Sequence, residues 1–96
     1  MAALYLIVEI RPRPEHAREV RSILAGMIEA TRREAGCDLY DLVVDPADPS
    51  VWVMVEKWSS RAAWEAHMVA PHNVEGNARL DGLLVEPARL RFLDPA

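Results

Sequence analysis

Apolar residues recur along this chain with two different periods, and the switches between them mark its elements. From Ala3 to Arg11 the residues are rich in Leu, Ile and Val with a polar end, and Pro12 and Pro14 prevent continuation, so this is a first strand. From about Glu15 to Ala35 the spacing becomes three and four: Ala17, Val20, Ile23, Leu24, Met27, Ile28 and Thr31 share one face, with Arg18, Arg21, Glu29, Arg32 and Arg33 opposite. That is a helix, with Gly36 as its natural stop. Gly26 inside it costs about 1 kcal/mol relative to alanine, which predicts a close approach by another element. Cys37 to Asp45 alternates with Tyr40, Leu42 and Val44 on one face, and Asp-Pro at 45–46 closes a second strand.

The turn-forming DPADPS segment predicts an antiparallel hairpin into a third strand, where Val51, Val53 and Val55 alternate with Trp52, Met54 and Glu56. Ser59 and Ser60 stop it and cap a helix. Trp64, His67 and Met68 fall on one face of that helix, which Pro71 is expected to end, leaving His72 just past the break. A further helical run towards Leu80 and Leu83 is interrupted by Gly76 and Asn77. Pro87 and Pro95 bracket a last strand, in which Leu90 and Phe92 alternate with Arg89 and Arg91.

Strand, helix, strand, strand, helix, strand is the order of an α+β, ferredoxin-like split βαβ unit with a four-stranded antiparallel sheet. Residues 1–96 are expected to form a single domain. Such a sheet carries helices on one face only, and the face bearing Val51, Val53 and Val55 is too apolar to meet only water. A second copy packed sheet against sheet would cover it, giving a homodimer with a barrel-like interior.

Composition adds exclusions. Half of the residues are apolar and the net charge is −4 with no basic stripe, which argues against nucleic acid as a partner. The single cysteine, Cys37, permits no internal disulfide, so a cytoplasmic location is the default. The opening MAALYLIVEI lacks a basic start and soon meets Arg11 and Pro12, so neither a signal peptide nor a membrane span is expected. The four glycines form no phosphate loop, and neither CxxC nor HExxH occurs. His67 and His72 are five apart, unlike the i, i+4 pair that clamps a metal, and no metal is expected.

The chemistry concentrates between Val51 and His72, which hold all three tryptophans and two of the three histidines. Glu56 and Trp58 share the strand face of Trp52 and Met54, placing a carboxylate and an indole N–H beside an apolar wall. Each candidate also has a purely structural explanation. Glu56 could pair with Arg89 or Arg91, Trp58 and Trp64 could be packing, His67 a hydrogen-bonded core histidine, and His72 a helix-start residue. Their convergence in one short stretch favours a site.

The run EKWSSRAAWEAHMVAPH, with EAGCDLYDL before it and LLVEPARLRFL after it, resembles the antibiotic-biosynthesis-monooxygenase (ABM) family, and within it the small quinol-monooxygenase-like proteins. The resemblance covers nearly the whole chain and implies a dimeric α+β barrel. It also implies oxygenation of a quinol or polycyclic phenol by dioxygen without metal, flavin or haem. On this resemblance His67 or His72 is the base or proton shuttle, Trp58 an N–H donor or wall, and Glu56 a partner that raises histidine basicity. Trp52, Met54, Trp64, Met68 and Phe92 then line the pocket. Haem-degrading relatives add an asparagine on the first strand, and Ala3 to Arg11 contains none.

Three functions follow in order of preference. A cofactor-free monooxygenase acts on a small aromatic substrate with dioxygen. An isomerase-type enzyme acting on a small polar metabolite, phosphorylated or not, requires arginines in its pocket. A non-catalytic ligand-binding dimer requires a filled cavity and histidines satisfied by backbone groups.

Overall fold

A computed structural model describes residues 2–96. Strands β1 (Leu4–Ile10), β2 (Cys37–Asp45), β3 (Asp48–Trp58) and β4 (Arg89–Leu93) form one antiparallel sheet in the order β2-β3-β1-β4. Helices α1 (Ala17–Thr31), α2 (Arg61–Met68) and α3 (Pro71–Leu80) cross one of its faces. This is the α+β, ferredoxin-like plan expected from the order of elements. No helix among the described residues is long and apolar enough to cross a membrane.

Register distributes the side chains. Leu6 stands opposite Glu56 on β3 and Phe92 on β4, while Tyr40 on β2 also faces Glu56. Directly opposed residues share a face, so Leu4, Leu6, Val8, Tyr40, Met54, Glu56 and Trp58 all point towards the helices, and all are buried. They meet Val20, Ile23, Leu24 and Met27 of α1 and Leu80 of α3. The opposite face carries Ile7, Val43, Val53, Val55 and Leu93, none of them fully buried. Arg89 and Arg91 lie on that opposite face too, across from Glu9 and Ile7, so they cannot pair with the inward Glu56.

Local chemistry explains the element ends, and some differ from expectation. Before α1, Pro14–His16 forms a single 3-10 turn, so the α-helix begins at Ala17 and ends at Thr31 rather than running from 15 to 35. Its end is pulled away by Arg32, whose Nε donates to the Tyr40 carbonyl at 3.1 Å and whose Nη2 pairs with Asp41 at 2.8 Å. Asp45 Oδ1 accepts from the Ala47 amide at 2.8 Å and turns the β2–β3 hairpin. Ser60 caps α2 by accepting from the Ala63 amide at 3.1 Å.

Pro71 starts a helix instead of ending one. Its missing N–H matters little at the first helical position, and its fixed φ suits the helix. His72 therefore sits in the first turn of α3, and His67 in the last turn of α2.

The glycines exchange roles. Nothing approaches within 4 Å of where a Gly26 Cβ would sit, so this glycine is not a contact point. Gly76, inside α3 rather than interrupting it, is: a Cβ there would run into the side chain of Met27 on α1. Gly36 adopts φ +84°, a Cβ on it would lie 2.6 Å from Ala63 Cβ and 2.7 Å from Ser59 Oγ, and its carbonyl accepts from the Ser59 amide at 2.8 Å.

The core also contains a carboxylate. Glu56 is only 4% exposed. Burial drives its pKa from an ordinary 4.5 up to about 7, against the opposing effect of the Trp58 indole N–H.

Two stability predictions follow from these constraints. Gly36→Ala combines a left-handed backbone with two close contacts and should lower unfolding free energy by about 2–4 kcal/mol, read from urea midpoints. For Glu56, folding favours the protonated acid. Its contribution to stability is therefore complete below pH 4.5 and lost as pH rises to about 7, a total of about 3 kcal/mol. Glu56→Gln mimics the neutral acid and should be more stable than wild type at pH 8, with the two converging near pH 4.5. Parallel stability curves across that range would contradict the assignment.

Candidate active site

A cavity of about 440 Å³ lies between the inner sheet face and the helices. Leu6, Val8 and Ile10 of β1, Met54 of β3 and Leu90 of β4 form its floor, and Leu24, Met27 and Leu80 its roof. Met68 and the segment 81–88 complete its rim. That segment is held over the sheet end by the Arg13 amide donating to the Leu83 carbonyl and the Val85 amide donating to the Arg11 carbonyl, at 2.9 and 2.8 Å. Polar groups reach this apolar space from several elements: Tyr40 from β2, Glu56 from β3, His67 from α2, and Asn73 and Asn77 from α3.

His67 is fixed on every side. Its ring lies against Trp58, with centroids 4.7 Å apart and planes at 35°, and meets the edge of Tyr40 at 5.6 Å. Its Nδ1 is 2.7 Å from Glu34 Oε2, and the same oxygen lies 2.8 Å from His72 Nε2. An ionised carboxylate only accepts, so both bonds place the proton on His67 Nδ1 and on His72 Nε2. That tautomer leaves Nε2 as the lone-pair acceptor of the His67 ring, a residue that lines the cavity, with no hydrogen-bond partner among the described residues. Exposure grades outward, from 3% for the His67 side chain to 16% for Glu34 and 27% for His72.

Two further titratable groups near the histidines are held neutral. Burial and the neighbouring Glu56 carboxylate raise the Tyr40 phenol far above its usual range, so it remains a hydroxyl donor. Burial, then Glu34, pushes the Cys37 thiol up, which removes it as a thiolate nucleophile.

Of the residues expected at the site, Met54, Glu56, Trp64, His67 and Met68 line the cavity. Trp58 stands behind the wall, fully buried, with its Nε1 donating to Glu56 Oε1 at 3.0 Å, so its N–H is already committed. His72 does not line the cavity and is linked to it through Glu34 and then His67. Trp52 lies towards the far end of β3, opposite Ile10 and Val44, and packs on the core without lining the cavity. Phe92 stacks edge-on against Trp64 at 5.0 Å beneath the Arg61 guanidinium, and Leu90 takes the β4 position at the cavity.

Glu34 is the carboxylate that meets the histidines, and Glu56 is not. Nothing in the amphipathic repeats marks Glu34, which lies in the turn between α1 and β2; its signals are its place two residues before the turn-forming Gly36 and at the head of the EAGCDLYDL segment that supports the family resemblance. Tyr40 was legible as inward-facing by alternation alone. Among the described residues, Glu34, His67 and His72 are also the donor set able to hold a metal ion.

Comparison with known proteins places this architecture. The chain is similar to "Putative monooxygenase Rv0793" of Mycobacterium tuberculosis, with 36% identity over 90 residues covering 94% of this chain and 88% of that protein. The solved Rv0793 structure superposes with a TM-score of 0.93, covering 99% of this chain and 96% of the other. "Probable quinol monooxygenase YgiN" of Escherichia coli K12 is 33% identical, covering 96% of this chain and 97% of its own. The structure of PA3566 from Pseudomonas aeruginosa is 30% identical with a TM-score of 0.90, covering 100% of this chain and 96% of that one. Residues 3–79 match the family model for antibiotic biosynthesis monooxygenase, and the chain belongs to that family.

Proposed function

We propose that this protein is a cofactor-independent monooxygenase that oxidises a quinol or polycyclic phenol with dioxygen in the apolar cavity. The observation that carries the reading is His67: a buried imidazole at the cavity wall, oriented by Glu34 through Nδ1 and with Nε2 free to accept a proton. Relatives named as monooxygenases, one of them a quinol monooxygenase, support it.

The chemistry balances with the substrate's own electrons. His67 Nε2 removes the hydroxyl proton, and Glu34 stabilises the imidazolium that forms. The phenolate, in a site largely cleared of water, is electron-rich enough to reduce dioxygen by one electron. Recombination at a ring carbon bearing hydrogen forms a C–O bond, and the imidazolium returns its proton to give a hydroperoxide. Loss of water breaks the O–O bond and leaves a carbonyl, so one oxygen atom enters the product and the other leaves as water. Tyr40, held as a hydroxyl, and the Asn73 and Asn77 amides are the donors for oxyanions in the cavity.

The alternatives lose support. Among the described residues lining the cavity there is no lysine or arginine, which disfavours a phosphorylated metabolite. The cavity is not filled by side chains, and the histidines are held by a carboxylate rather than by backbone groups, unlike a non-catalytic binding module. A cytoplasmic homodimer completes the reading, with Val53, Val55 and Ile7 covered by a second copy.

Two measurements test it. Oxygen uptake with reduced naphthoquinols and anthrone-like phenols should exceed autoxidation, fall by about 10²–10⁴ in His67→Gln, and fall roughly 10-fold in His72→Ala, which removes one partner of Glu34. No enzyme-dependent uptake across the panel would overturn the activity. Light scattering after size exclusion should give twice the chain mass, and Val55→Asp should give a monomer with unchanged helix content.

A further inference from the structure

We propose that Glu34 Oε2, His67 Nδ1 and His72 Nε2 form a binding site for a first-row divalent transition-metal cation of the zinc or cobalt type. The donor chemistry selects the ion: two imidazoles and one carboxylate suit zinc, cobalt, nickel or iron, whereas calcium and magnesium prefer oxygen ligands.

Geometry agrees. The three atoms lie within 4.8 Å of one another, with the carboxylate oxygen 2.7 and 2.8 Å from the two nitrogens. Ligands about 2.0–2.1 Å from an ion and separated by octahedral or tetrahedral angles sit roughly 2.9–3.3 Å apart. The carboxylate therefore has to withdraw by at most about half an ångström from each imidazole, within the reach of a side-chain torsion.

The set is held by three separate elements. His67 is clamped between Trp58 and Tyr40 at the end of α2. His72 sits in the first turn of α3. The Glu34 amide donates to the Thr31 carbonyl at 2.9 Å, and the Glu34 carbonyl accepts from the Cys37 amide at 3.2 Å. Because His72 is 27% exposed, an ion can enter from solvent and keep water at its open positions.

Coordination changes what His67 can do, a consequence that rests on the proposed function. An ion on Nδ1 forces the ring proton to Nε2, and Nε2 then no longer accepts a proton from a substrate. Cation binding and the base role exclude each other, so the ion acts as an inhibitor of turnover.

The test uses chelator-treated, folded protein without substrate, so its outcome is independent of oxygen uptake. Titration with Co²⁺ should give visible d–d absorption saturating at one ion per chain, displaced by Zn²⁺. Affinity should fall roughly 100-fold in both His72→Gln and Glu34→Gln. His72→Gln alters a partly exposed side chain and keeps the fold, which far-ultraviolet circular dichroism checks. Absence of saturable absorption overturns the proposal, as does binding that survives unchanged in both variants.

Discussion

One carboxylate oxygen, Glu34 Oε2, joins three parts of the chain at a single point. It accepts from the end of α2 through His67 and from the start of α3 through His72, while its own backbone sits in the turn between α1 and β2. Charge-assisted bonds at 2.7–2.8 Å in a site shielded from solvent are stronger than their exposed equivalents. The bridge needs the turn to hold its shape, and the turn needs Gly36, where both φ and the contacts with Ser59 and Ala63 forbid a side chain. Histidine orientation at the cavity thus depends on the backbone of a residue that never touches the cavity.

Two carboxylates in this small structure meet opposite environments. Glu34 is partly open and faces two imidazoles. Glu56 lies on the sheet floor, and its one side-chain donor among the described residues, the Trp58 indole, does not offset burial, so its pKa rises to about 7. Their places differ accordingly: Glu34 orients the two histidines through its hydrogen bonds, while Glu56 is a weak acid able to exist in either form near neutral pH. Trp58 couples the two, since its indole bonds Glu56 while its face supports His67.

Periodicity made the sheet legible. Inward alternation of Tyr40, Leu42 and Val44, and of Trp52, Met54, Glu56 and Trp58, follows from pleating alone, and so does the helix face running from Val20 to Thr31. What periodicity cannot carry is position along a face. Trp52 and Glu56 share one side of β3, yet only Glu56 reaches the cavity because Trp52 lies a full turn of the pleat beyond Met54, towards the hairpin. Pro71 was ambiguous for a related reason: the same lack of an N–H ends one helix or begins the next, and the deciding fact is Ala70's extended backbone. Glu34 lay outside every repeat, and its partners are 33 and 38 residues away.

The cavity itself arises from an imbalance in packing. Gly76 lets α3 approach α1 closely at Met27, which fastens the helices to each other, while the space between them and the strand floor is left unfilled. Met27, Met54 and Met68 all border that space, and unbranched thioether side chains adapt to flat ligands of different outline. The polar groups are less adaptable: Tyr40 and Glu56 face each other on adjacent strands, and His67 touches the Tyr40 ring. An aromatic substrate in the proposed reaction is therefore oriented by its hydroxyl group at this fixed polar end, while the pliable end tolerates variation in the rest of the ring system. Selectivity then resides in where the acidic hydroxyl sits on the substrate, more than in how large its ring system is.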